Sequence, residues 1–537
     1  MIKNYILFVF MLPCLIFGQT IEFQSSITAD LSAYSDAIDF PGLGEYEIFL
    51  DTTDGILDQP IILVDGFDPG DVRDINGIYG LLDFIGSNGN SNLVDELRAL
   101  GFDVIILNFP QYLRLDDNSL LNIDDVTDNN GDMIIDETDY PAGSQLVNGG
   151  ADFMERNAML LVELINTINN DKVGDEENVI IGPSMGGLIS RYALNFMENQ
   201  SLEHETRLFI SFDAPHLGAN VPLGLQHQLN YLAFGIGNGL NVETLQPLIN
   251  NLLKSPAARQ LLTDHFESHL QTDDDSEFDP NIILPAEHPN KTIFDSSINS
   301  LTATGFPENT RNVAIINGSG IGSPFQDLMG NDVTPGYNLL NIEDLSLPDV
   351  PPLSNVTLNA SINLTPATAD GITSISTILV EGFFVVTIPL VNVQAFAQAN
   401  SFSDGIDAAP GGLFDISEIT GALGNGGIFD DFASSFTLNR FSFIPSVSAM
   451  AMNFTNDEIN WYEPMDFNDM GTTTNGIMTP FDNWYMPEDN ENHVQLTQEN
   501  VEFALNEILD SSLENQELKE GLKFQIANNP VDDNLII

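Results

Sequence analysis

The amino-acid sequence predicts an α/β fold in which helices cover both faces of a mostly parallel sheet. Short, uninterrupted apolar runs recur along the chain, as is typical of strands buried on both faces. Stretches with apolar residues at helical spacing separate these runs. The chain has 537 residues, of which 43% are hydrophobic, and this is enough to form a large buried core.

The elements of this fold are predicted in a regular order. Strands are expected at 60–64, 102–109, 178–181, 208–212, 311–316 and, as the last strand, 441–447. Helices are expected at 152–168, in the segment from 182 to 195, and after Thr497, which can cap a final helix. This alternation predicts one sheet built largely from parallel strands.

Two insertions interrupt the predicted core. Residues 221–305 are rich in helical patterns. Residues 340–440 form a β-rich insertion, because apolar and polar residues alternate from Val356 to Leu364 and residues 375–397 continue as antiparallel structure. The sequence does not indicate what the β-rich insertion does.

The charge of the chain excludes two classes of partner. Lysine and arginine number 15 and aspartate and glutamate 79, which gives a formal net charge of −64. Such a surface repels phosphate backbones and anionic lipid headgroups. No nucleic-acid partner is therefore expected, and the charge suits an extracellular protein.

The N-terminus predicts export. Lys3 precedes an apolar run over 5–17, which ends before Gly18. This arrangement is typical of a signal peptide, here residues 1–18, and the protein is expected to be secreted or held at the cell surface. No later segment resembles a transmembrane helix. Cys14 is the only cysteine, so disulfides and cysteine zinc sites are not expected in the mature chain.

A G-x-S-x-G motif at 182–186 contains the candidate nucleophile, Ser184. It lies between a predicted strand and a predicted helix, where a tight turn would expose Ser184 at the carboxyl edge of the sheet. The backbone N–H of Met185 would then lie at a helix N-terminus, which favours an oxyanion. An ordinary glycine-rich connection is the alternative, and the flanking pattern favours a nucleophile.

The segment 179–194 (VIIGPSMGGLISRYAL) resembles the nucleophile elbow of α/β-hydrolase lipases and esterases. Residues 61–67 (IILVDGF) resemble their oxyanion segment, and residues 214–218 (APHLG) the stretch after their sixth strand. The whole looks like secreted hydrolases of Bacteroidetes bacteria. The resemblance implies an α/β-hydrolase domain over 19–520, with the N–H of Phe67 as second oxyanion donor. It also makes 221–305 either a lid over an acyl chain or a plain helical cap.

The resemblance also indicates the base and leaves the acid open. The order in this fold is serine, acid, histidine, so His493, after the predicted last strand, is the expected base. The usual acid position follows the strand at 311–316, but Asn317 stands there. Two candidates remain: Asp213, at the end of the strand after the nucleophile strand, and Asp482, eleven residues before His493.

Residues 128–139 resemble EF-hand-like and dockerin-like calcium loops. The oxygen ligands would be the side chains of Asp128, Asn130, Asp132, Asp136 and Asp139 and the carbonyl of Ile134. Met133 departs from the pattern, because glycine normally permits the sharp turn there. The alternative is an acidic surface turn. A structural calcium ion is predicted on this basis, and no cofactor is expected for catalysis.

The C-terminal tail, residues 521–537, resembles the opening strand of the sorting domain of the type IX secretion system, so that machinery is an expected partner. The sequence as a whole predicts a serine ester hydrolase that acts on a small-molecule or lipid ester through an acyl-enzyme. Two alternatives remain: a serine amidase or peptidase on the same fold, and a non-catalytic surface protein with a relict pocket.

Overall fold

The computed structural model describes residues 19–35, 37–87, 89–236, 241–243, 245–274, 276–347, 352–366, 371–399, 405–417, 434–454 and 459–510. The predicted signal peptide at 1–18 and the predicted sorting tail at 521–537 lie outside these residues. Among the residues described, no helix has the length and apolar character needed to cross a membrane.

The strands follow one another in short segments. In chain order they are β1 (Ile21–Gln24), β2 (Leu43–Phe49), β3 (Pro60–Val64), β4 (Asp83–Gly86), β5 (Gly89–Asn92), β6 (Asp103–Asn108), β7 (Gln111–Arg114), β8 (Leu120–Asn122), β9 (Gln145–Asn148), β10 (Asn178–Pro183), β11 (Thr206–Phe212), β12 (Arg311–Ile315), β13 (Asn338–Leu347), β14 (Ser354–Asn363), β15 (Gly371–Phe383), β16 (Thr387–Ala399), β17 (Gly411–Asp415), β18 (Arg440–Pro445) and β19 (Asn483–Tyr485).

The α-helices are α1 (Ile75–Gly80), α2 (Leu93–Ala99), α3 (Met154–Asp171), α4 (Met185–Asn199), α5 (Leu223–Asn230), α6 (Leu245–Asn251), α7 (Pro256–Leu261), α8 (Pro289–Ser300), α9 (Ser446–Ala449) and α10 (Gln498–Asp510). A π-helical turn, Tyr231–Gly235, follows α5.

The central sheet has eight strands in the order β1-β2-β6-β3-β10-β11-β12-β19. β2 pairs antiparallel with both of its neighbours, and the pairs from β6 to β19 are all parallel. β3 lies between β6 and β10, although β6 follows β3 in the chain. β11, β12 and β19 are then added in chain order beyond β10. This is the strand order of an α/β hydrolase, and the predicted fold class is confirmed.

Alternate residues of the central strands enter two separate cores. In β3, Ile62 and Val64 pack in the core that contains α3 and α4, and Ile61 and Leu63 pack in the core of the opposite face. All four side chains are buried, because helices cover both faces of the sheet. This double burial is the reason that the strands are continuous apolar runs.

The predicted last strand is wrong. Residues 441–447 were expected to close the sheet, but β18 pairs antiparallel with β17 in a separate two-stranded sheet. The central sheet ends instead with β19, which has three half-buried residues, Asn483, Trp484 and Tyr485. So short a strand has no apolar run for sequence analysis to detect.

The two insertions pack on each other. The helical insertion supplies α5 to α8, and the β-rich insertion forms the four-stranded antiparallel sheet β13-β14-β15-β16. The predicted alternation from Val356 to Leu364 corresponds to β14. Gln228 of α5 donates hydrogen bonds to the carbonyl oxygens of Ser361 and Thr377, which join the helix to β14 and β15.

Candidate active site

Ser184 lies at the turn between β10 and α4. Its backbone is in a left-handed conformation, with φ 52° and ψ −130°. Its N–H donates to the carbonyl oxygen of Phe212 at 2.9 Å, which ties the turn to the end of β11. A non-glycine residue held in this region is strained, and such strain is typical of a nucleophile turn in this fold.

Two glycines allow the chain to close around this serine. A Cβ on Gly186 would lie 2.4 Å from the carbonyl oxygen of Val64, at the end of β3. A Cβ on Gly66 would lie 3.3 Å from the Cβ of Ser184. The first turn of α4 and the segment after β3 are therefore in direct contact, which brings Phe67 to the serine's side of the sheet.

A chain of hydrogen bonds joins Ser184, His493 and Asp213. The Oγ of Ser184 lies 2.8 Å from Nε2 of His493, and Nδ1 of His493 lies 2.7 Å from Oδ2 of Asp213. A carboxylate against Nδ1 favours the tautomer in which Nδ1 carries the proton, so that Nε2 can accept the serine proton. Asp213 is fully buried.

Asp213 is held from two further sides. Its Oδ1 accepts the backbone N–H of Asn317 at 3.1 Å, just after β12. A Cβ on Gly412 would lie 2.1 Å from Oδ2. Asn317 occupies the position where sequence analysis expected the acid and found none. Asn317 therefore contributes a hydrogen-bond donor to Asp213 and does not itself provide a carboxylate.

Asp482 does not contact His493. Its N–H donates to the carbonyl oxygen of Asn312, and its Oδ2 accepts the N–H of Asn312 at 2.9 Å. Since β12 and β19 run parallel and Asp482 immediately precedes β19, this carboxylate lies at the amino end of the strands. Ser184 and Asp213 follow the carboxyl ends of β10 and β11, at the opposite edge. Between the two candidate acids, the structure brings only Asp213 to the histidine.

The loop that carries His493 is held by the two-stranded sheet of β17 and β18. The N–H of His493 donates to the carbonyl oxygen of Leu413 in β17 at 2.8 Å. The ring of Phe443 in β18 meets the imidazole edge to face, with centroids 5.0 Å apart. β17 and β18 therefore orient the imidazole of His493 instead of extending the central sheet.

Glu491, two residues before His493, is a second carboxyl group in this region. Its Oε2 accepts the side-chain N–H of Asn317 at 2.8 Å. Partial burial raises its pKa to about 7, with a contribution from the nearby charge of Asp213. From about pH 4.5 to about pH 7, the unfolded chain has lost this proton and the folded chain retains it. The free energy of unfolding therefore falls as the pH rises through this window.

We expect Glu491→Gln to reduce this pH dependence, because the amide has no proton to lose. The melting temperature of the parent should drop more between pH 5 and pH 8 than that of the variant. Glu502→Gln, at an exposed position of α10, is the matched control and should behave as the parent does. Equal drops in all three proteins would contradict the assignment of a raised pKa to Glu491.

The predicted oxyanion donors, Met185 and Phe67, come from two elements at this edge. Met185 is the first residue of α4, so its N–H belongs to the unpaired set at a helix N-terminus. Phe67 lines the same pocket as Ser184. Both backbone groups are thus on the side of the sheet where the serine hydroxyl lies.

Arg73 is a functional candidate that sequence analysis missed. It donates to the carbonyl oxygen of Phe67 at 3.0 Å and lies 3.4 Å from the carboxylate of Asp65. Burial raises the pKa of Asp65 to about 6, against the opposing effect of the Arg73 charge. Arg73 therefore contacts both the Asp65 carboxylate and the backbone of Phe67, the predicted second oxyanion donor. Lysine and arginine are rare in this chain, which has only 15 of them, and that rarity is the feature of the sequence that could have pointed to Arg73.

We expect Arg73→Met to lower kcat by about 10²-fold while leaving KM within a few-fold, because a shifted Phe67 N–H would weaken only the oxyanion contact. Ester hydrolysis under steady-state conditions measures both constants. Arg98→Met, which removes another arginine bound to a backbone carbonyl, is the control and should retain parental kcat. An unchanged kcat in Arg73→Met would remove Arg73 from this role.

An apolar pocket opens beside Ser184. The helical insertion contributes Leu229, Leu253 and Leu261 to its wall, and β17 and β18 contribute Phe414, Phe441 and Phe443. Among the described residues that line the pocket, Ser184 is the only one whose side chain carries a hydroxyl or a charge. A pocket with such an apolar wall binds water poorly and favours contact with hydrocarbon chains. The helical insertion therefore forms part of the site, whether or not it moves.

The predicted calcium loop is ordered by its own side chains. Asp128 accepts the backbone N–H groups of Gly131 and Met133. Met133 has a φ of 67°, so it adopts the left-handed turn for which such loops normally use glycine. Within the described part of the chain, no three His, Cys, Asp or Glu side chains are grouped closely enough to hold a metal ion. The calcium site remains a prediction.

Comparison with protein families gives one match. Residues 143–232, which include β10, Ser184, α4 and Asp213, match the family described as "Putative serine esterase (DUF676)". The match covers less than a fifth of the chain, and it contains the nucleophile turn and the acid but not His493. No curated protein sequence is similar enough to count as a relative.

Solved structures with detectable likeness include lipases and esterases. The lipase BlEst2 of Bacillus licheniformis in its propeptide form has 14% identity and a TM-score of 0.24, over 51% of this chain and 39% of that one. Est1E from Butyrivibrio proteoclasticus has 9% identity and a TM-score of 0.23, over 54% and 76%. An esterase from Pyrobaculum calidifontis has 10% and 0.23, over 55% and 74%. The order and direction of the strands in the central sheet define the fold.

Proposed function

We propose that this chain is a serine ester hydrolase of the lipase or carboxylesterase type. The observation that carries the proposal is the continuous hydrogen-bonded chain from Ser184 through His493 to Asp213, which opens into an apolar pocket. Nucleophile, base and acid come from three separate turns at one edge of the sheet. The serine-esterase family match over residues 143–232 supports the same reaction class.

In the proposed mechanism, the Oγ of Ser184 attacks the acyl carbonyl carbon as Nε2 of His493 takes the hydroxyl proton. The backbone N–H groups of Met185 and Phe67 bind the oxyanion that forms on the carbonyl oxygen. The carbonyl re-forms and the alcohol leaves with the proton held on Nε2. A water molecule then attacks the acyl-enzyme by the same proton route, and the acid and free Ser184 are released.

Asp213 has an electrostatic and orienting part in this scheme. Its carboxylate stabilises the imidazolium that forms on His493 and fixes the ring by the bond to Nδ1. The N–H of Asn317 keeps the carboxylate in place. The apolar wall of the pocket supports the choice of an acyl substrate, because leucine and phenylalanine side chains favour hydrocarbon over polar or charged groups.

Two assays test this proposal. The full chain should hydrolyse p-nitrophenyl esters and leave the matching p-nitroanilides essentially uncleaved, and a fluorophosphonate probe should label it. Ser184→Ala should abolish both hydrolysis and labelling while keeping the parental melting temperature. Faster cleavage of the anilides would favour an amidase instead. Folded parent protein that neither reacts with the probe nor cleaves esters would favour a non-catalytic binding protein.

Export is part of the same proposal. The predicted signal peptide and the acidic composition support a secreted or surface enzyme that uses the type IX machinery. Expression of the full chain in a type IX-competent bacterium should yield extracellular or surface protein with a new N-terminus near Gln19. An uncleaved protein retained in the cytoplasm would contradict this.

We further propose that residues 128–139 bind a structural calcium ion, since hard oxygen donors line the loop. At a hundredfold excess of calcium over its Kd, stability should rise by about 2.7 kcal/mol. Thermal unfolding with calcium and with chelator measures this. Asp132→Asn should shrink the calcium-dependent shift, and Asp117→Asn, in a different acidic turn, should leave it unchanged. Identical melting temperatures for the parent in calcium and in chelator would exclude the site.

A further inference from the structure

The hairpin formed by β15 and β16 ends in a tip that is apolar and exposed. Val385 and Val386 at the turn are 74% and 63% exposed. Four more large apolar side chains are exposed around them: Phe383, Phe384, Ile388 and Leu390. Single apolar residues on a surface need no explanation, but a contiguous group of six marks an interaction site.

The base of the same hairpin is an ordinary half-buried sheet. Ile375 and Ile378 of β15 and Ala395 and Ala397 of β16 are buried. A Cβ on Gly224 of α5 would lie 2.5 Å from the carbonyl oxygen of Ile375, so the base packs directly on that helix. From Ile378 to Phe384 the hairpin continues for about 20 Å at the rise of a β-strand. β14 accompanies β15 as far as the pair Ser354 and Phe383, so the turn at 384–386 lies at the end of the four-stranded sheet.

The tip is apolar on both faces of the hairpin. Phe383 pairs with Thr387 and Gly382 pairs with Ile388, so Phe383 and Ile388 point to opposite faces. A tip that is apolar all round matches a medium that surrounds it, such as the interior of a lipid layer.

The net charge of the protein limits which lipid headgroups the tip can approach. Residues 382–399 contain no charged side chain, in a chain whose formal net charge is −64. An anionic lipid surface would repel the protein as a whole, and an uncharged or zwitterionic surface would not. The tip itself has no lysine or arginine with which to bind a phosphate group.

We propose that this tip inserts into uncharged or zwitterionic lipid surfaces and so holds the protein on aggregated ester substrate. The inference deepens the proposed function and rests on it for the identity of the lipid. The hairpin base packs on α5, and α5 lines the apolar pocket beside Ser184 through Leu229. The anchoring element is thus joined to a wall of the pocket.

Vesicle flotation with the full-length Ser184→Ala protein tests the insertion without hydrolysis. The protein should float with phosphatidylcholine vesicles, and adding phosphatidylglycerol should weaken the binding. Phe384→Ser with Val385→Ser should lower the partition coefficient at least roughly tenfold. Leu328→Ser with Met329→Ser, which removes two exposed apolar side chains from a different loop, is the matched control and should bind as the parent does.

Three outcomes would overturn the inference: no flotation of the parent, equal flotation of the tip variant, or a dimer that dissociates in the tip variant while neither protein binds vesicles. Light scattering detects the last of these. With Ser184 intact, the tip variant should hydrolyse soluble p-nitrophenyl acetate at the parental rate. Loss of vesicle binding with retained esterase activity, and the reverse, separate a failure of this inference from a failure of the proposed function.

Discussion

Asp213→Asn is expected to lower kcat for ester hydrolysis by about 10⁴-fold, because an amide cannot hold His493 in the required tautomer or stabilise its cation. The bond from Oδ2 to Nδ1 of the histidine is 2.7 Å long and fully buried on the aspartate side. Asp482→Asn is the control of the same chemistry, and it should retain kcat within a few-fold. Steady-state kinetics with a p-nitrophenyl ester compares the two variants.

The stability of both variants should be measured alongside. Asp482 bonds to the backbone of Asn312, so its replacement should lower the melting temperature slightly and leave the chemistry intact. A large loss of kcat in Asp482→Asn, with Asp213→Asn active, would show that the hydrogen-bonded chain described here is not the catalytic one.

Gly186→Ala is expected to destabilise the fold by about 3 kcal/mol, near the upper end for overpacked sites. The new methyl group would lie 2.4 Å from the carbonyl oxygen of Val64 and 2.8 Å from that of Asp65. Both are backbone atoms at the end of a central strand, so neither can move away easily. Thermal or urea unfolding measures the loss, and esterase activity should fall as well because the Ser184 turn must shift.

Gly80→Ala is the matched control. Gly80 ends α1 and is exposed, and a Cβ there would meet nothing within 4 Å. Alanine in a helix is as stable as glycine or up to about 1 kcal/mol more stable. If Gly186→Ala were as stable as Gly80→Ala, the close contact between α4 and the end of β3 would not exist in solution.

The local parts of the site could be predicted from sequence because their causes are local. The turn around Ser184 depends on a strand, a few small residues and a helix that are adjacent in the chain. The central strands are visible as apolar runs for the same reason. The placement of His493 rested on the order of residues in related folds, not on any pattern around it.

The acid could not be chosen from sequence because it depends on which edge of the sheet each aspartate reaches. Asp482 is eleven residues from the histidine in sequence, but the parallel direction of β19 places it at the wrong edge. Asp213 is 280 residues away and in contact. The direction of the three-residue strand β19 determines which edge of the sheet Asp482 reaches, and the sequence of β19 does not reveal that direction.

The supporting residues were hidden for a related reason. Arg73 donates from its side chain to the backbone carbonyl of Phe67, and Asn317 donates its own backbone N–H to the carboxylate of Asp213. Contacts of this kind leave no motif, because almost any sequence supplies the backbone partner. The strand predicted at 441–447 falls in the small sheet of β17 and β18, because an apolar strand has the same sequence pattern in a small sheet as in a large one.

The separation of Ser184, Asp213 and His493 along the chain has a consequence for biosynthesis. Ser184 and Asp213 are made early, and His493 is added only after roughly 280 further residues. A nascent or clipped polypeptide that lacks the C-terminal loop has the hydroxyl and the carboxylate but no proton acceptor between them. In the proposed mechanism, hydrolysis therefore requires a chain that has been synthesised at least as far as His493.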